Sequence, residues 1–265
     1  MCGIIGILGS EGVADELVDG LKRLEYRGYD SAGIATLVGG QIERRRAEGK
    51  LKNLAANVRA EPIAGRTGIG HTRWATHGVP NVTNAHPHSD GKVAVVHNGI
   101  IENFDALRAE LRERGIRWST DTDTETIVHL ISAALSDGME PVEAVRSVIG
   151  RLHGAFALAI VFAGHDDLMV GARKGSPLAI GHGDGEMYLG SDAIALAPLT
   201  NTISYMEDGD WCVLTREGVT VYDESNAKVE RAVVKSQLSG ALIGKGNYHH
   251  YMQKEIHEQP SVVGD

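Results

Sequence analysis

Short apolar runs, each closed by glycine or by a polar pair, recur through the 265 residues and fall in two blocks. A run of six to nine residues that is apolar throughout is too short for most helices and suits a buried strand. The first block holds Gly3–Leu8, Ala32–Val38, Thr67–Thr72 and Lys92–His97, with Gln41–Arg46 returning after a Gly39-Gly40 hairpin signal. The second begins at Ala155 and reads as strands over 155–162, 167–172, 177–182, 186–190, 203–206, 210–215 and 218–223. Helical patterns lie between and beside these runs. Val13, Leu17, Leu21 and Leu24 mark one helix face. Lys50–Arg59 is a second amphipathic stretch, and Phe104, Leu107 and Leu111 belong to a third. The tetrad Thr122-x-x-Glu125 predicts a capping box opening a helix through Leu135, and Pro141–Val148 predicts another with proline in its first turn. Two strand-rich blocks with helices around them predict an α/β (α+β) domain of two packed sheets with outer helices.

Composition narrows the function. Lys plus Arg number 26 and Asp plus Glu 35, a formal charge of −9, which opposes non-specific binding to nucleic acid. A hydrophobic share of 42% against 23% charged residues is that of a folded globule. Two cysteines cannot build a disulfide scaffold or a four-cysteine zinc site, and neither His86-Pro87-His88 nor His249-His250 has zinc-ligand spacing, so no metal and no cofactor is expected. The longest apolar run, Ala155–Ala163, is too short to cross a bilayer as a helix. The first basic residue, Lys22, follows Glu11, Asp15 and Glu16, the wrong order for a secretory signal, so a cytoplasmic protein without a membrane partner is expected. The triplet Arg44-Arg45-Arg46 reads as a solvated strand face, and Gly181–Gly185 lacks the ending of a phosphate loop.

Four places carry residues suited to chemistry, and each has a plainer alternative. Cys2 is either a small buried hydrophobe or, with Met1 trimmed, a thiol beside its own α-amine, nucleophile and base on one residue. The run HTRWATHG, His71–Gly78, delivers Arg73 to the end of a strand. There it can form a surface ion pair or clamp a carboxylate. Asn98-Gly99 is either a hairpin turn or a pair of N–H donors for an oxyanion. Asp123, placed at the first helical position, either complements the helix dipole or receives an ammonium group. Cys212 reads as core.

Taken together, MCGIIGILG, EYRGYDSAGIA (Glu25–Ala35), HTRWATHG, NAHPH (Asn84–His88), VVHNGIIEN (Val95–Asn103) and TDTE (Thr122–Glu125) resemble the class II glutamine amidotransferases, which belong to the N-terminal nucleophile hydrolases. The forms EYRGYDSAG and HTRWATHG, with the tail His249–Pro260, are similar to the branch whose synthase half isomerises a sugar phosphate. The resemblance implies a four-layer αββα sandwich of mainly antiparallel sheets. It implies hydrolysis of L-glutamine to glutamate and ammonia through a γ-glutamyl thioester on Cys2. Asn98 and Gly99 would be the oxyanion donors, with Arg27 and Gly28 supporting the catalytic terminus. Arg73 would hold the substrate carboxylate, helped by Thr76 and His77. Asp123 would take the ammonium, and Trp74 would gate ammonia.

On this reading, residues 2–238 form the glutaminase domain and 239–265 begin a linker to sugar-isomerase domains, the strand pattern fading from Ser236. The partner would be that sugar-isomerase half, in a homodimer when full length, whereas this piece alone would be monomeric. The loop 73–80 is expected to move, with Gly78 as hinge. The alternatives are the glutaminase domain of another class II amidotransferase and a glutamine-binding domain that retains Met1 and does not turn over.

Overall fold

The computed structural model describes residues 2–236, Tyr248 and 251–262. The chain opens with β1 (Gly3–Leu8), α1 (Ala14–Arg23), β2 (Ser31–Val38), β3 (Gln41–Glu48), α2 (Leu51–Ala60) and β4 (Thr67–Arg73). Next come β5 (His88–Ser89), β6 (Val93–Ile101), α3 (Phe104–Glu113), α4 (Thr124–Ser136), α5 (Pro141–Ile149), β7 (Gly154–Phe162) and β8 (Met169–Lys174). The remainder is β9 (Ala179–His182), β10 (Met187–Gly190), α6 (Ala193–Leu196), β11 (Thr202–Tyr205), β12 (Trp211–Thr215), β13 (Gly218–Tyr222), β14 (Lys228–Val229), β15 (Val233–Lys235) and α7 (Tyr251–Val262).

The strands form two sheets, one ordered β15-β11-β9-β10-β1-β4-β2-β3 and the other β14-β13-β12-β8-β7-β6-β5. Every ladder between neighbouring strands is antiparallel. Successive side chains on a strand point to opposite faces, so each buried strand serves two cores. In β1, Ile4 and Leu8 face the second sheet, while Ile5 and Ile7 face α1. In β7, the small Ala157 and Ala159 meet the first sheet, whereas Phe156, Leu158, Ile160 and Phe162 face α4 and α5. Three apolar layers therefore alternate with the backbone: α1 and α2 on one sheet, sheet on sheet, then α3, α4 and α5 on the other. This is the αββα order.

Two expectations are corrected here. The Arg44–Arg46 triplet is no solvated face. Arg44 donates to the carbonyl of Pro87, and Arg46 donates to the carbonyls of Thr83 and Ala85, so both guanidinium groups fold inward over the 83–87 segment. The T-x-x-E capping box does not form. Asp123 occupies the N-cap position, and Glu125 turns back to accept from the N–H and hydroxyl groups of Ser119 and Thr120 at 2.7–2.8 Å. The Thr122 hydroxyl instead meets His88 Nε2 at 3.0 Å. Beyond Ser236, the expected linker contains the helix α7, while Met1, the three glycines of 239–246 and His249-His250 lie outside the described residues.

Candidate active site

β1 lies inside its sheet, paired with β4 on one side and β10 on the other. The register sets Gly3 opposite Thr72, so the chain enters the sheet at Cys2 next to the point where β4 ends at Arg73. Ser191 fixes the entry further, since its hydroxyl accepts from Ile4 N–H at 3.0 Å. The half-buried Cys2 Sγ accepts from Trp74 N–H at 3.1 Å. Burial raises the thiol above its ordinary pKa. The Trp74 N–H and the Arg73 charge oppose that rise, and Asp30 adds to it.

The second sheet supplies the opposite wall. Asn98 and Gly99 are not a hairpin turn. They lie within β6, paired with Ala157 and Phe156 of β7, and the strand runs on to Ile101. Gly99 has φ +124°, and a Cβ there would stand 1.9 Å from the Ala155 carbonyl oxygen, so only glycine fits. Asn98 Nδ2 donates to the Cys2 carbonyl oxygen at 2.9 Å, tying the two sheets together beside the thiol.

A cavity of about 320 Å³ opens here, lined by Cys2, Arg27, Trp74, Thr76, Asn98, Gly99, Ile100, Ser176 and Pro177. A narrow recess of about 10 Å³ shares Cys2, Trp74, Thr76 and Gly99 with this cavity and is lined further by Arg73, His77, Thr122 and Asp123. The recess thus joins the Cys2 thiol to a buried cation and a buried carboxylate, Arg73 and Asp123, while the Asn98 amide lines the cavity beside it. Arg73 is buried, which lowers its pKa, while Asp30, Cys2 and Asp123 favour its charge. Asp123, at 4% exposure, accepts from Ile101 N–H at 2.8 Å, so the start of α4 is pinned to the end of β6.

Arg27 borders the cavity with its Nη2 2.9 Å from Asp192 Oδ2, and Tyr26 bonds both groups. Gly28 is not on the cavity wall. A Cβ there would lie 2.6 Å from the Arg73 carbonyl carbon, so its smallness lets the 26–30 turn press against the end of β4. Trp74 is 50% exposed and meets Tyr29 edge-on, with ring centres 5.7 Å apart. Thr76 is exposed, and the His77 ring meets Phe104 edge-on at 5.2 Å.

Several contributors carry no reading from the sequence. Asp30 accepts from Ala75 N–H, and its charge bears on both Cys2 and Arg73. Its place in YRGYD was the available signal. Asp192, which orients Arg27, lies 165 residues away and had none. Behind the recess, His71, His86 and His88 form a buried row with ring centres 4.2 and 4.6 Å apart. Thr124 Oγ1 bridges His86 Nε2 at 2.9 Å and His97 Nδ1 at 3.0 Å. Burial pushes His71 and His88 down to about 3 and lowers His86 and His97 as well, so all four rings are neutral near pH 7.

The glutamine amidotransferase domain family matches residues 71–198. A glutamine–fructose-6-phosphate aminotransferase (isomerizing) from Bradyrhizobium diazoefficiens is 64% identical over 264 residues, covering 100% of this chain and 43% of that protein. The same enzyme from Brucella suis is 62% identical over 99% of this chain and 43% of its own length. The chain therefore spans less than half the length of these relatives. Among solved structures, the glutamine phosphoribosylpyrophosphate amidotransferase from B. subtilis superposes with a TM-score of 0.74 at 27% identity, over 86% of this chain and 50% of that one. A glutamine aminotransferase class-II domain protein from Silicibacter pomeroyi shares the fold, with a TM-score of 0.57 at 16% identity, over 84% of this chain and 99% of that one. Fold, cavity and similarity agree: the chain belongs to the glutamine amidotransferase domain family, on the fold of the N-terminal nucleophile hydrolases.

Proposed function

We propose that the chain hydrolyses L-glutamine to glutamate and ammonia, with Cys2 as nucleophile once Met1 has been removed. The observation that carries this is the placing of groups about Cys2: thiol and amide donor line the cavity, and a buried cation and carboxylate line the recess beside it. Free glutamine has the matching order, a side-chain amide at one end and a zwitterion at the other. Arg73 takes the α-carboxylate, Asp123 the α-ammonium, and Thr76 and His77 close the loop over them. None of these changes a bond. They place the amide carbon at Sγ, and such positioning removes much of the entropic barrier.

The Cys2 α-amine takes the thiol proton, and Sγ attacks the amide carbon. Negative charge moves to the carbonyl oxygen, toward the second Asn98 N–H and the Gly99 N–H. Donors aimed at a developing oxyanion contribute about 3–4 kcal/mol each. The ammonium then passes its proton to the leaving nitrogen, and ammonia departs as the C–N bond breaks. Water hydrolyses the thioester, the sulfur takes back a proton, and glutamate leaves. Arg27, held by Asp192, and Gly28 keep the terminus in place beside the mouth.

The wider setting rests on the relatives. Residues 2–238 would act as the glutaminase domain, with 239–265 leading toward a sugar-isomerase half. Ammonia passing Trp74 would convert fructose 6-phosphate to glucosamine 6-phosphate there, in a cytoplasmic homodimer. Among the described residues, no helix is long and apolar enough to cross a membrane.

The test is glutamate release from L-glutamine by this chain, with Cys2→Ala beside it and intact mass recorded. Release that disappears in Cys2→Ala supports the reading. Release that persists overturns the nucleophile. No release from a chain whose mass still includes methionine favours binding without turnover, and no release from a chain that lacks it counts against turnover by this chain on its own.

A further inference from the structure

Asn98 has two side-chain ends of nearly equal shape, one an acceptor and the other a donor. Only the donor end can serve an oxyanion, so which way the carboxamide faces decides whether this wall of the cavity attracts or repels negative charge. Its neighbours settle the matter. The Cys2 carbonyl oxygen lies 2.9 Å from Nδ2, and a carbonyl can only accept. At the other end, His71 Nε2 stands 3.0 Å from Asn98 Oδ1 and also 3.0 Å from the His97 carbonyl oxygen. Since the His97 carbonyl cannot donate, Nε2 must carry the hydrogen, and the Asn98 atom facing it must be the oxygen. The other ring nitrogen, His71 Nδ1, is buried with no partner, which suits the nitrogen without a hydrogen.

His71 is itself held rigidly. It lies in β4, opposite Ile4 of β1 and Gly33 of β2, and is fully buried. We propose that His71 is a positioning residue: its Nε2–H holds the Asn98 carboxamide with oxygen inward and nitrogen toward Cys2, leaving one N–H free for the oxyanion. The inference rests on the glutaminase reading for its kinetic consequence, but not for its geometry. His71 touches no substrate. It acts through Asn98 and aims a dipole at the place where charge develops.

Two measurements test it. The first needs no turnover: long-range proton–nitrogen correlation spectra of the histidine-labelled chain near pH 7. His71 is expected as the neutral Nε2-protonated tautomer, and an Nδ1-protonated ring overturns the proposal. The second is kinetic. His71→Leu is expected to lower kcat for glutamate release about 100-fold, the scale of one lost oxyanion donor, with KM changed by less than about threefold. His71→Gln keeps a side-chain N–H and is expected to recover at least about tenfold of that loss. The double variant His71→Leu/Asn98→Ala should be no slower than Asn98→Ala alone, because both remove one device. Additive losses, or a Gln variant no better than Leu in a chain that folds, overturn the proposal. If His71→Leu does not fold, His71→Gln and the tautomer decide. A wild-type chain that releases no glutamate counts against the glutaminase reading, and the tautomer then tests His71 by itself.

Discussion

The guanidinium of Arg73 and the carbonyl oxygen of Gly78 are 3.1 Å apart, and the same side chain also donates to the carbonyls of His77 and Val79. Arg73 therefore braces the loop that carries Thr76 and His77 while facing the recess. Its removal should be felt twice. Arg73→Ala is expected to raise KM for glutamine by about 10- to 100-fold, the scale of one charged hydrogen-bonded contact. It should also speed proteolysis or amide exchange across 74–80 with no glutamine present. A variant with unchanged KM would remove Arg73 from the substrate site.

In the wild-type chain the same loop should respond to substrate. Amide exchange across 73–80 is expected to slow when glutamine is bound, because the ligand adds contacts to a segment held by Arg73, Asp30 and Asn84. Gly78, at φ +78°, is the expected hinge. Equal protection with and without glutamine would count against closure.

Gly99→Ala should fail for reasons unconnected with chemistry. The new methyl group would meet the Ala155 carbonyl at 1.9 Å, on a backbone with φ +124°. Strain of this kind costs about 1–3 kcal/mol before the clash is counted, so a large drop in midpoint by urea unfolding is expected, with loss of activity following the loss of fold. A variant as stable as wild type would mean that β6 and β7 separate more easily than their ladder suggests.

The buried histidines make stability depend on pH. Their pKa values are lowered in the folded state, His71 and His88 to about 3, while the unfolded chain binds protons near 6.5. Between those values the unfolded state holds more protons, so stability is full above about pH 6.5 and falls as the pH drops toward the folded pKa. Each such ring contributes up to about 1.4 kcal/mol per pH unit over that window. Urea midpoints at pH 7.5, 6.0 and 5.0 should decline steadily, before carboxylate titration begins. A flat profile from 7.5 to 5.0 would show the rings to be more accessible to protons than their burial implies.

Glu125→Gln should destabilise the chain at neutral pH. Burial would raise this carboxyl, but contact with His129 and four hydrogen bonds accepted from Ser119 and Thr120 hold its pKa well below the usual carboxylate range. An amide can replace only part of that pattern. The deficit against wild type should shrink as the pH falls below about 4.3, where the unfolded carboxyl takes up a proton and the folded one does not. Midpoints of both proteins at pH 7 and pH 3.5 check this.

Much of the fold was legible because its strands are buried on both faces and its helices on one. Runs such as Gly3–Leu8 and the 155–162 segment declare themselves by apolar length, and Val13, Leu17 and Leu21 by spacing. The errors came where tertiary partners outcompete local rules. Glu125 has good geometry for a capping box but finds four donors in the 119–120 turn. Asn98-Gly99 left a turn open beside the reading as oxyanion donors, and the two flanking runs of β6 in fact pair without a break against β7. Arg44 and Arg46 alternate as on an exposed edge strand, but the carbonyls of 83, 85 and 87 come within reach only after the chain has doubled back. The candidate site was legible as short motifs. Its supports, Asp192 and His71, were not, because one is remote in sequence and the other looks like any strand histidine.

The position of β1 has a further consequence. Chain ends are the parts of a domain that open most readily, with little free-energy cost. Here the terminal strand is hydrogen-bonded along both edges, to β4 and to β10, and sandwiched between two apolar layers. Releasing it would split the eight-stranded sheet in two. Cys2 is thus attached to one of the last segments to let go, and the amides of Ile4 through Ile7 should exchange only through global unfolding. A group next to the usually frayed end of a polypeptide is thereby anchored to the middle of the core.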